Sequence, residues 1–473
     1  GIGALAASAS AAVIAGRAKD ARGRCYHWRE TQQGVSLSMF AESAGCPGGP
    51  VVSLPHVRRA GSLNRRCGNG FALVVAVWAA AAAWSARAGV ADPVAVIGPQ
   101  RLLVVAVQFR GTNPSSTLPQ LEDKLSRVGR YVRAASYGKA WLETKLVGWY
   151  EMPAPLTEYR VSPHNYDVDR SRVRRLVADA LGAAQRDVDP AGYGVVWIVA
   201  GVFTRPGEGY GMIAYAANPG MLSTVKQGRA RLETVTLRGG GSFSGPAIVS
   251  AENAHVGHVV HDLLHALGGA RGGYRAVPDL YDYELQSRPP PGPMSPEVFA
   301  IHAGPWDIMS QHFIERTLPP PAPSSFTRMQ LGWITKDQVI EIRPGETREV
   351  TLQPLDTGRA PLAVRIALGA RRYLLVENRQ RSGGDQVLPA SGVLVFEVDL
   401  DREEGGGIVT VANANPDISK LYGAPFVAEA GQRRVYENAG AGVIIAPLAR
   451  EADGAIRIIV TTPQRIRELG LAR

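Results

Sequence analysis

Apolar and polar residues are patterned differently in the two halves of this chain. RLLVVAVQF (101–109) is an unbroken, β-branched run of strand length. LEDKLSRVGRYVRAASYG (121–138) repeats apolar residues at helical spacing and ends on a glycine, which predicts a helix. KLVGWYEMP (145–153) predicts a strand and SRVRRLVADALGAAQ (171–185) a helix with Ser171 as its N-cap. YGVVWIVAGVF (193–203) predicts a second buried strand. NAHVGHVVHDLLHALGG (253–269) sets Val256, Val259, Val260, Leu263, Leu264 and Leu267 at helical spacing and predicts a buried helix. Strands alternating with helices make this half α/β. From about residue 345 the runs shorten. REVTLQP, LAVRIAL, RRYLLVENRQ, SGVLVFEVDL, GIVTVANA, GVIIAPL and IRIIVTT are strand-like and separated by Gly, Pro, Asp and Asn, which predicts a C-terminal β-sandwich or similar module. Two proline clusters, PPPGP (289–293) and PPPAP (319–323), are expected to be stiff surface loops. No internal repeat is found.

At 473 residues the chain can hold two domains and bury large cores. Its 52 basic and 42 acidic residues give a formal charge of +10. That surplus is concentrated: residues 1–88 carry ten Lys or Arg against three acids, so the rest of the chain is nearly balanced. With no basic stripe interleaved with aromatics, nucleic acid is not expected as a partner. Residues 1–38 show no pattern of regular structure, and Met39 is a candidate start. RRCGNGFALVVAVWAAAAAWSARAG has a basic beginning, an apolar stretch from Phe71 to Trp84 and a small-x-small ending, the layout of an export signal. That stretch is too short to span a bilayer core of about 30 Å. The expectation is a secreted protein with no transmembrane segment after processing, beginning near Gly89 or Asp92. All three cysteines (Cys25, Cys46 and Cys67) precede that point, so disulfides would not hold the processed chain together. The organisation read from the chain is a leader at 1–88, an α/β domain at 89–340 and a β-rich module at 341–473.

The candidate chemistry lies in HVVHDLLH (258–265). His261 and His265 are four residues apart, share one helix face and can address one ion. Neutral imidazoles suit zinc. Gly268, three residues after His265, can take the left-handed conformation that ends a helix and lets the chain return beneath a metal. A histidine on a helix is often only a hydrogen-bonded core residue, and that bland reading is preferred for His255 and His258. For His261 and His265 both readings stay open on spacing alone.

Further motifs follow in order: VPDLYDYE (277–284), GPWDIMSQH (304–312), SSFTRMQLGWI (324–334), YLLVENRQRSGGDQVLP (373–389) and SGVLVFEVD (391–399). Together with SYGKAWLETKLVGWYEMP upstream, this series resembles the immune inhibitor A family of secreted, metzincin-like zinc metallopeptidases, over roughly residues 100–400. The resemblance implies an α/β (α+β) metzincin-like peptidase domain at 89–340 followed by the β-rich module. It implies zinc held by His261, His265 and Asp279, with Met309 packed beneath the site. Asp262 stands where the family has the glutamate that serves as general base and then protonates the leaving amine. The substrates implied are proteins or peptides.

The chain departs from the family twice. Nine residues, GARGGYRAV, separate Gly268 from Pro278 where the family has one. That insertion either bulges outward and leaves Asp279 in place or displaces it, in which case His258, Asp282 or Glu284 would complete the site. The second departure is Asp262, whose carboxylate is retracted by one C–C bond, roughly 1.5 Å. The alternative to an active endopeptidase is therefore a catalytically inactive relative that acts as a secreted zinc- or protein-binding module. A third reading is an unrelated exported protein whose histidine helix is purely structural. The clustered acids of PDLYDYE also suit calcium as a second ion.

Overall fold

The structure is a computed structural model. It describes residues 90–159, 170–203, 234–282, 302–310, 319–428 and 435–471, together with three strands in the leader. The chain divides into two compact units, Gly1–Ala83 and Trp84–Arg473. In the first, Ala15–Lys19, Cys25–Thr31 and Gly34–Met39 pair antiparallel in chain order, so residues 15–39 hold regular structure where none was expected. Short alternating stretches such as CYHWRET carry that pattern only weakly. The apolar stretch Phe71–Trp84, expected to be an export signal, lies outside the described residues.

The second unit is mixed α/β. Its first sheet has four parallel strands, β1 (Gly98–Gln108), β2 (Ala140–Glu151), β3 (Val195–Ala200) and β4 (Ala247–Ala251), in the order β2-β1-β3-β4. β1 is continuously apolar from Leu102 to Val107 because both its faces are covered there. Leu102, Val104 and Ala106 enter a core shared with helices α1 (Leu118–Ala135) and α3 (Val256–Gly268). Leu103, Val105 and Val107 enter a second core with α2 (Arg170–Ala184) on the opposite face. α1 opens on a capping box, with the Thr117 hydroxyl and the Gln120 side chain satisfying each other's backbone N–H groups. α2 begins one residue before Ser171, and β4, AIVSA, is too short for its pattern to stand out in the sequence.

The C-terminal part begins after the short helix α4 (Ser325–Gln330). Strands form at all seven of the runs noted above, and two more appear at Val339–Ile342 and Tyr436–Asn438. Numbered in chain order these are β5 (Val339–Ile342), β6 (Arg348–Leu352), β7 (Ala363–Ala367), β8 (Arg372–Arg379), β9 (Gly392–Asp399), β10 (Val409–Val411), β11 (Tyr436–Asn438), β12 (Val443–Arg450) and β13 (Ile456–Thr461). They build a five-stranded sheet, β5-β7-β8-β9-β10, and a four-stranded sheet, β6-β13-β12-β11. The two sheets share a core of Leu374, Val376, Val393 and Val395 with Leu352, Ile458 and Val460. The alternate residues Tyr373, Leu375, Leu394 and Phe396 join the core that contains Val260 and Leu264 of α3. The histidine helix thus shares one core with the parallel sheet and with one face of the five-stranded C-terminal sheet.

The second proline cluster corrects the sequence reading, because residues 320–323 are buried. Proline has no N–H, so apart from Ala322 only carbonyls need partners in this segment. Side chains from elsewhere in the chain supply them: the half-buried Tyr131 hydroxyl donates to Pro321 O (2.6 Å), and buried Arg379 and Arg328 donate to Ala322 O (3.2 Å) and Pro323 O (3.0 Å). The first cluster, 289–293, lies outside the described residues. Among the described residues no helix is long and apolar enough to cross a membrane.

Candidate metal centre

α3 is capped by His255, whose Nδ1 accepts the Gly257 N–H at 3.0 Å, a local structural role of the kind expected for it. His258 is buried on the same helix. Val259, Val260, Leu263 and Leu264 enter the core. His261 and His265 follow one another up one face, with ring centroids 4.7 Å apart and planes at 83°.

The residue that ends the helix is Gly269, at φ 65°, and its N–H bonds to His265 O at 2.9 Å. Gly268 remains helical, which corrects the left-handed role expected of it. Its lack of a side chain is needed for a different reason. A Cβ there would lie 2.7 Å from Val277 Cγ2 and 3.2 Å from Val277 N, so only glycine lets the returning chain pass this close. The inserted residues form a hairpin, Ala270–Arg271 pairing with Tyr274–Arg275, and Gly272 and Gly273 turn it at φ 60° and 89°. Two left-handed central residues are what the tightest hairpin turn requires. Ala276 N–H bonds back to Gly269 O at 3.1 Å, closing the insertion off. Asp279 is therefore not displaced.

Three ligand atoms converge. Asp279 Oδ1 lies 3.0 Å from His261 Nε2 and 2.9 Å from His265 Nε2, and the two Nε2 atoms are 3.1 Å apart. All three residues are buried and together can hold a metal ion. The other ring nitrogens face backbone carbonyls, His261 Nδ1 to Ile308 O at 2.9 Å and His265 Nδ1 to Val277 O at 2.7 Å. A carbonyl only accepts, so each Nδ1 carries a proton, and in the neutral ring Nε2 is left as an acceptor. Two imidazole lone pairs and a carboxylate oxygen thus meet at about 3 Å. One proton could serve a single pair among them; a cation serves all three, and the Arg275 guanidinium already stands at their edge, with Nη1 3.2 Å from His265 Nε2. Metal–ligand bonds of about 2.0–2.1 Å in a tetrahedral site set ligand atoms about 3.3 Å apart, within a few tenths of an ångström of this arrangement.

The charges agree with that use. Burial pushes His265 down to about 4, helped by the Arg275 guanidinium, so the ring stays neutral. Burial also opposes a charge on His261, but the Asp279 hydrogen bond and the Asp279 and Asp262 charges outweigh it and raise its pKa. Burial opposes ionisation of Asp279 too, yet the two histidines and Arg275 hold its carboxyl well below the usual carboxylate range. A permanent carboxylate beside two imidazoles is a cation-seeking set.

Met309 is fully buried in the core that packs α3. Its carbonyl accepts the Leu280 N–H at 2.9 Å, and the preceding carbonyl, Ile308 O, is the one that fixes His261. The turn thus anchors both the first histidine and the Asp279 segment. Asp307 holds this turn by accepting from Met309 N (2.7 Å), Ser324 N (2.9 Å) and Thr327 Oγ1 (2.7 Å). The ENRQ strand braces it from the far side. Buried Arg379 forms a two-pronged pair with Asp385 (2.7 and 2.6 Å), reaches Glu377 (3.1 Å) and donates to Trp306 O (2.8 Å). Asp262 is buried one residue after His261, and its charge is felt by His261 and Tyr281. The carboxylate is not one of the three converging ligands.

Three contributors escaped the sequence reading. Arg275, in the insertion, places Nη1 3.1 Å from Asp279 Oδ2. Glu404, in the loop after β9, accepts from Arg275 Nη1 at 3.1 Å and from Asp279 N at 2.8 Å. Tyr281 stacks on His261 with ring centroids 6.1 Å apart at 28°. No spacing rule links Glu404 to the motif, because 125 residues separate it from Asp279. Of the residues expected to substitute for Asp279 or to bind calcium, Asp282 faces His302 at 3.6 Å and Glu284 lies outside the described residues. Among the described residues no second cluster of three metal-ligating side chains is found. A comparison with known protein families and with curated proteins finds no match to this chain.

Proposed function

We propose that the protein is a zinc metallopeptidase of the kind its motifs resemble, holding the ion with His261, His265 and Asp279 and hydrolysing peptide bonds of protein substrates. The observation that carries this reading is the convergence of His261 Nε2, His265 Nε2 and Asp279 Oδ1 within 3.1 Å while both Nδ1 atoms are committed to carbonyls. Two nitrogens and one oxygen favour zinc over calcium, which takes six to eight oxygens. A bound zinc would polarise the scissile carbonyl and lower the pKa of water to about 7. Asp262 is the group that would accept the proton of the attacking water at its carboxylate and pass it to the leaving amine. The leader, with its basic start and the apolar stretch Phe71–Trp84, supports export.

The shortened side chain of Asp262 favours a second reading, a relative that binds zinc without cutting. Metal content and casein hydrolysis separate the readings. About one zinc per chain, removable by a chelator, together with chelator-sensitive hydrolysis is the expected result. Zinc without hydrolysis selects the inactive relative. No zinc at neutral pH overturns the metal reading altogether.

A further inference from the structure

We propose that Glu404 is a positioning residue of the metal centre, through which the C-terminal sheets set the geometry of the third ligand. The inference rests on the metal reading of His261, His265 and Asp279. Glu404 lies in the loop joining β9 to β10, far along the chain from the histidine helix. Its Oε1 accepts the Asp279 backbone N–H at 2.8 Å and a proton of Arg275 Nη1 at 3.1 Å. The same Nη1 donates to Asp279 Oδ2 at 3.1 Å. Asp279 is therefore gripped at its backbone and at one carboxylate oxygen, both through one distant carboxylate. With Oδ2 engaged by Arg275, the oxygen left to face the imidazoles is Oδ1. The arrangement selects one-oxygen ligation by Asp279.

The loop that carries Glu404 is itself seated. Gly405 and Gly407 take φ 78° and 86°, which lets the chain turn tightly around Glu404. A Cβ on Gly407 would lie 2.9 Å from His302 Cε1, so the loop rests against the start of the segment that carries Ile308 and Met309. Glu404, Arg275 and Asp279 are each less than a tenth exposed. Burying two carboxylates and a guanidinium carries a large desolvation cost, and apolar packing would stabilise a plain structural contact as well. A metal ligand, in contrast, gains directly from partners that fix its orientation, and loss of such partners commonly weakens metal binding 10- to 100-fold. Arg275 belongs to the inserted hairpin, so hairpin and loop work as a pair around Asp279.

The test uses the full chain and the metals alone. Zinc affinity is measured by competition with a chromophoric chelator, and the visible spectrum of the cobalt(II) form reports ligand number. Glu404→Ala is expected to weaken zinc binding about 10- to 100-fold and to change the cobalt spectrum as Asp279 turns to two-oxygen ligation. Glu404→Gln keeps an oxygen for the Asp279 N–H and should recover much of the affinity; it also serves if Glu404→Ala does not fold. Because both residues act through Asp279, Glu404→Ala should matter less in an Arg275→Met background. A wild type that binds both metals, with Glu404→Ala binding equally well and giving the same spectrum, overturns the positioning role and leaves the metal reading standing. A lowered melting temperature with unchanged zinc affinity overturns it in the same way. A wild type that binds neither metal overturns both.

Discussion

On the proposed peptidase reading Asp262 is the general base, and its substitution by glutamate and by alanine gives the sharpest test. On α3 it directly follows His261 and is buried with it. Aspartate keeps the charge and the proton chemistry of a general base; only reach is lost, by one C–C bond or roughly 1.5 Å. Misplacement of about 1 Å can lower a rate on the order of 100-fold. Asp262→Glu is therefore expected to raise peptide hydrolysis by about that factor. The added methylene enters a buried position and should lower stability by about 1–3 kcal/mol, so melting temperature is measured alongside rate. Asp262→Ala should remove turnover while leaving zinc nearly unchanged, because Asp262 is not one of the three converging ligands. The assay is hydrolysis of a fluorogenic peptide by the three proteins at matched zinc occupancy. Equal rates in wild type and Asp262→Ala would refute the assignment of Asp262 as the base. A slower Asp262→Glu with normal zinc would refute the reach argument, since it would mean that the site is built around the shorter side chain.

The other expectations concern the frame of the site. His261→Ala and His265→Ala should each abolish stoichiometric zinc, measured by metal analysis after dialysis, because each removes one of three protein ligands. Zinc retention should fall as pH falls, since protons compete for Nε2; with His261 raised above the ordinary histidine value by its carboxylate neighbours, competition should begin above pH ~6.5 in a zinc titration across pH. Gly268→Ala forces a Cβ to 2.7 Å from Val277 Cγ2 and should weaken zinc through the displaced Val277 carbonyl, whereas Gly269→Ala, with nothing within 4 Å, should cost about 1–3 kcal/mol of backbone strain and leave zinc affinity alone. Arg379→Met leaves buried Glu377 and Asp385 without their cation and should cost about 3–5 kcal/mol, lowering the melting temperature on the order of 10 °C.

How much of this was legible depends on the distance over which each feature is encoded. The helix and its two histidines were readable because both follow from spacing inside 13 residues. The strands β1 and β3 were readable because burial on two faces leaves an apolar run with no competing pattern. Asp279 was nominated only through the resemblance, and whether the insertion would displace it turned on chain geometry. The glycines of GARGGYRAV in fact carry that answer, since a Gly-Gly pair between short β-capable segments favours a two-residue hairpin that returns the chain to where it left. Gly268 does not end the helix as expected; Gly269 does, and Gly268 is needed because the returning Val277 presses against it, which no local pattern shows. The proline cluster at 319–323 was misplaced because composition says what a segment cannot donate, and the donors that bury it come from Tyr131, Arg328 and Arg379 elsewhere in the chain.

That last group explains why the ENRQ strand belongs with the site although it touches no ligand. Glu377 accepts the Ser325 N–H at 2.7 Å, Asn378 ties Leu352 O to Gly454 O at 3.0 and 2.9 Å, and Arg379 donates to Trp306 O at 2.8 Å. One strand thereby fixes α4, joins the two C-terminal sheets and braces the turn whose next carbonyl but one, Ile308 O, orients His261. A helix alone could set two histidines four residues apart. What it cannot set is the direction of each ring or the place of a carboxylate from another segment. Here those are supplied by carbonyls of Ile308 and Val277 and by Arg275 and Glu404, on three stretches of chain. The C-terminal sheets therefore form part of the machinery that points ligand atoms at one place. A chain cut after α4 would keep the HDLLH helix, Arg275 and the Val277 and Ile308 carbonyls. It would lose Glu404 from Asp279 and Arg379 from the turn that carries Ile308, so Asp279 and the turn that orients His261 would each lose one support.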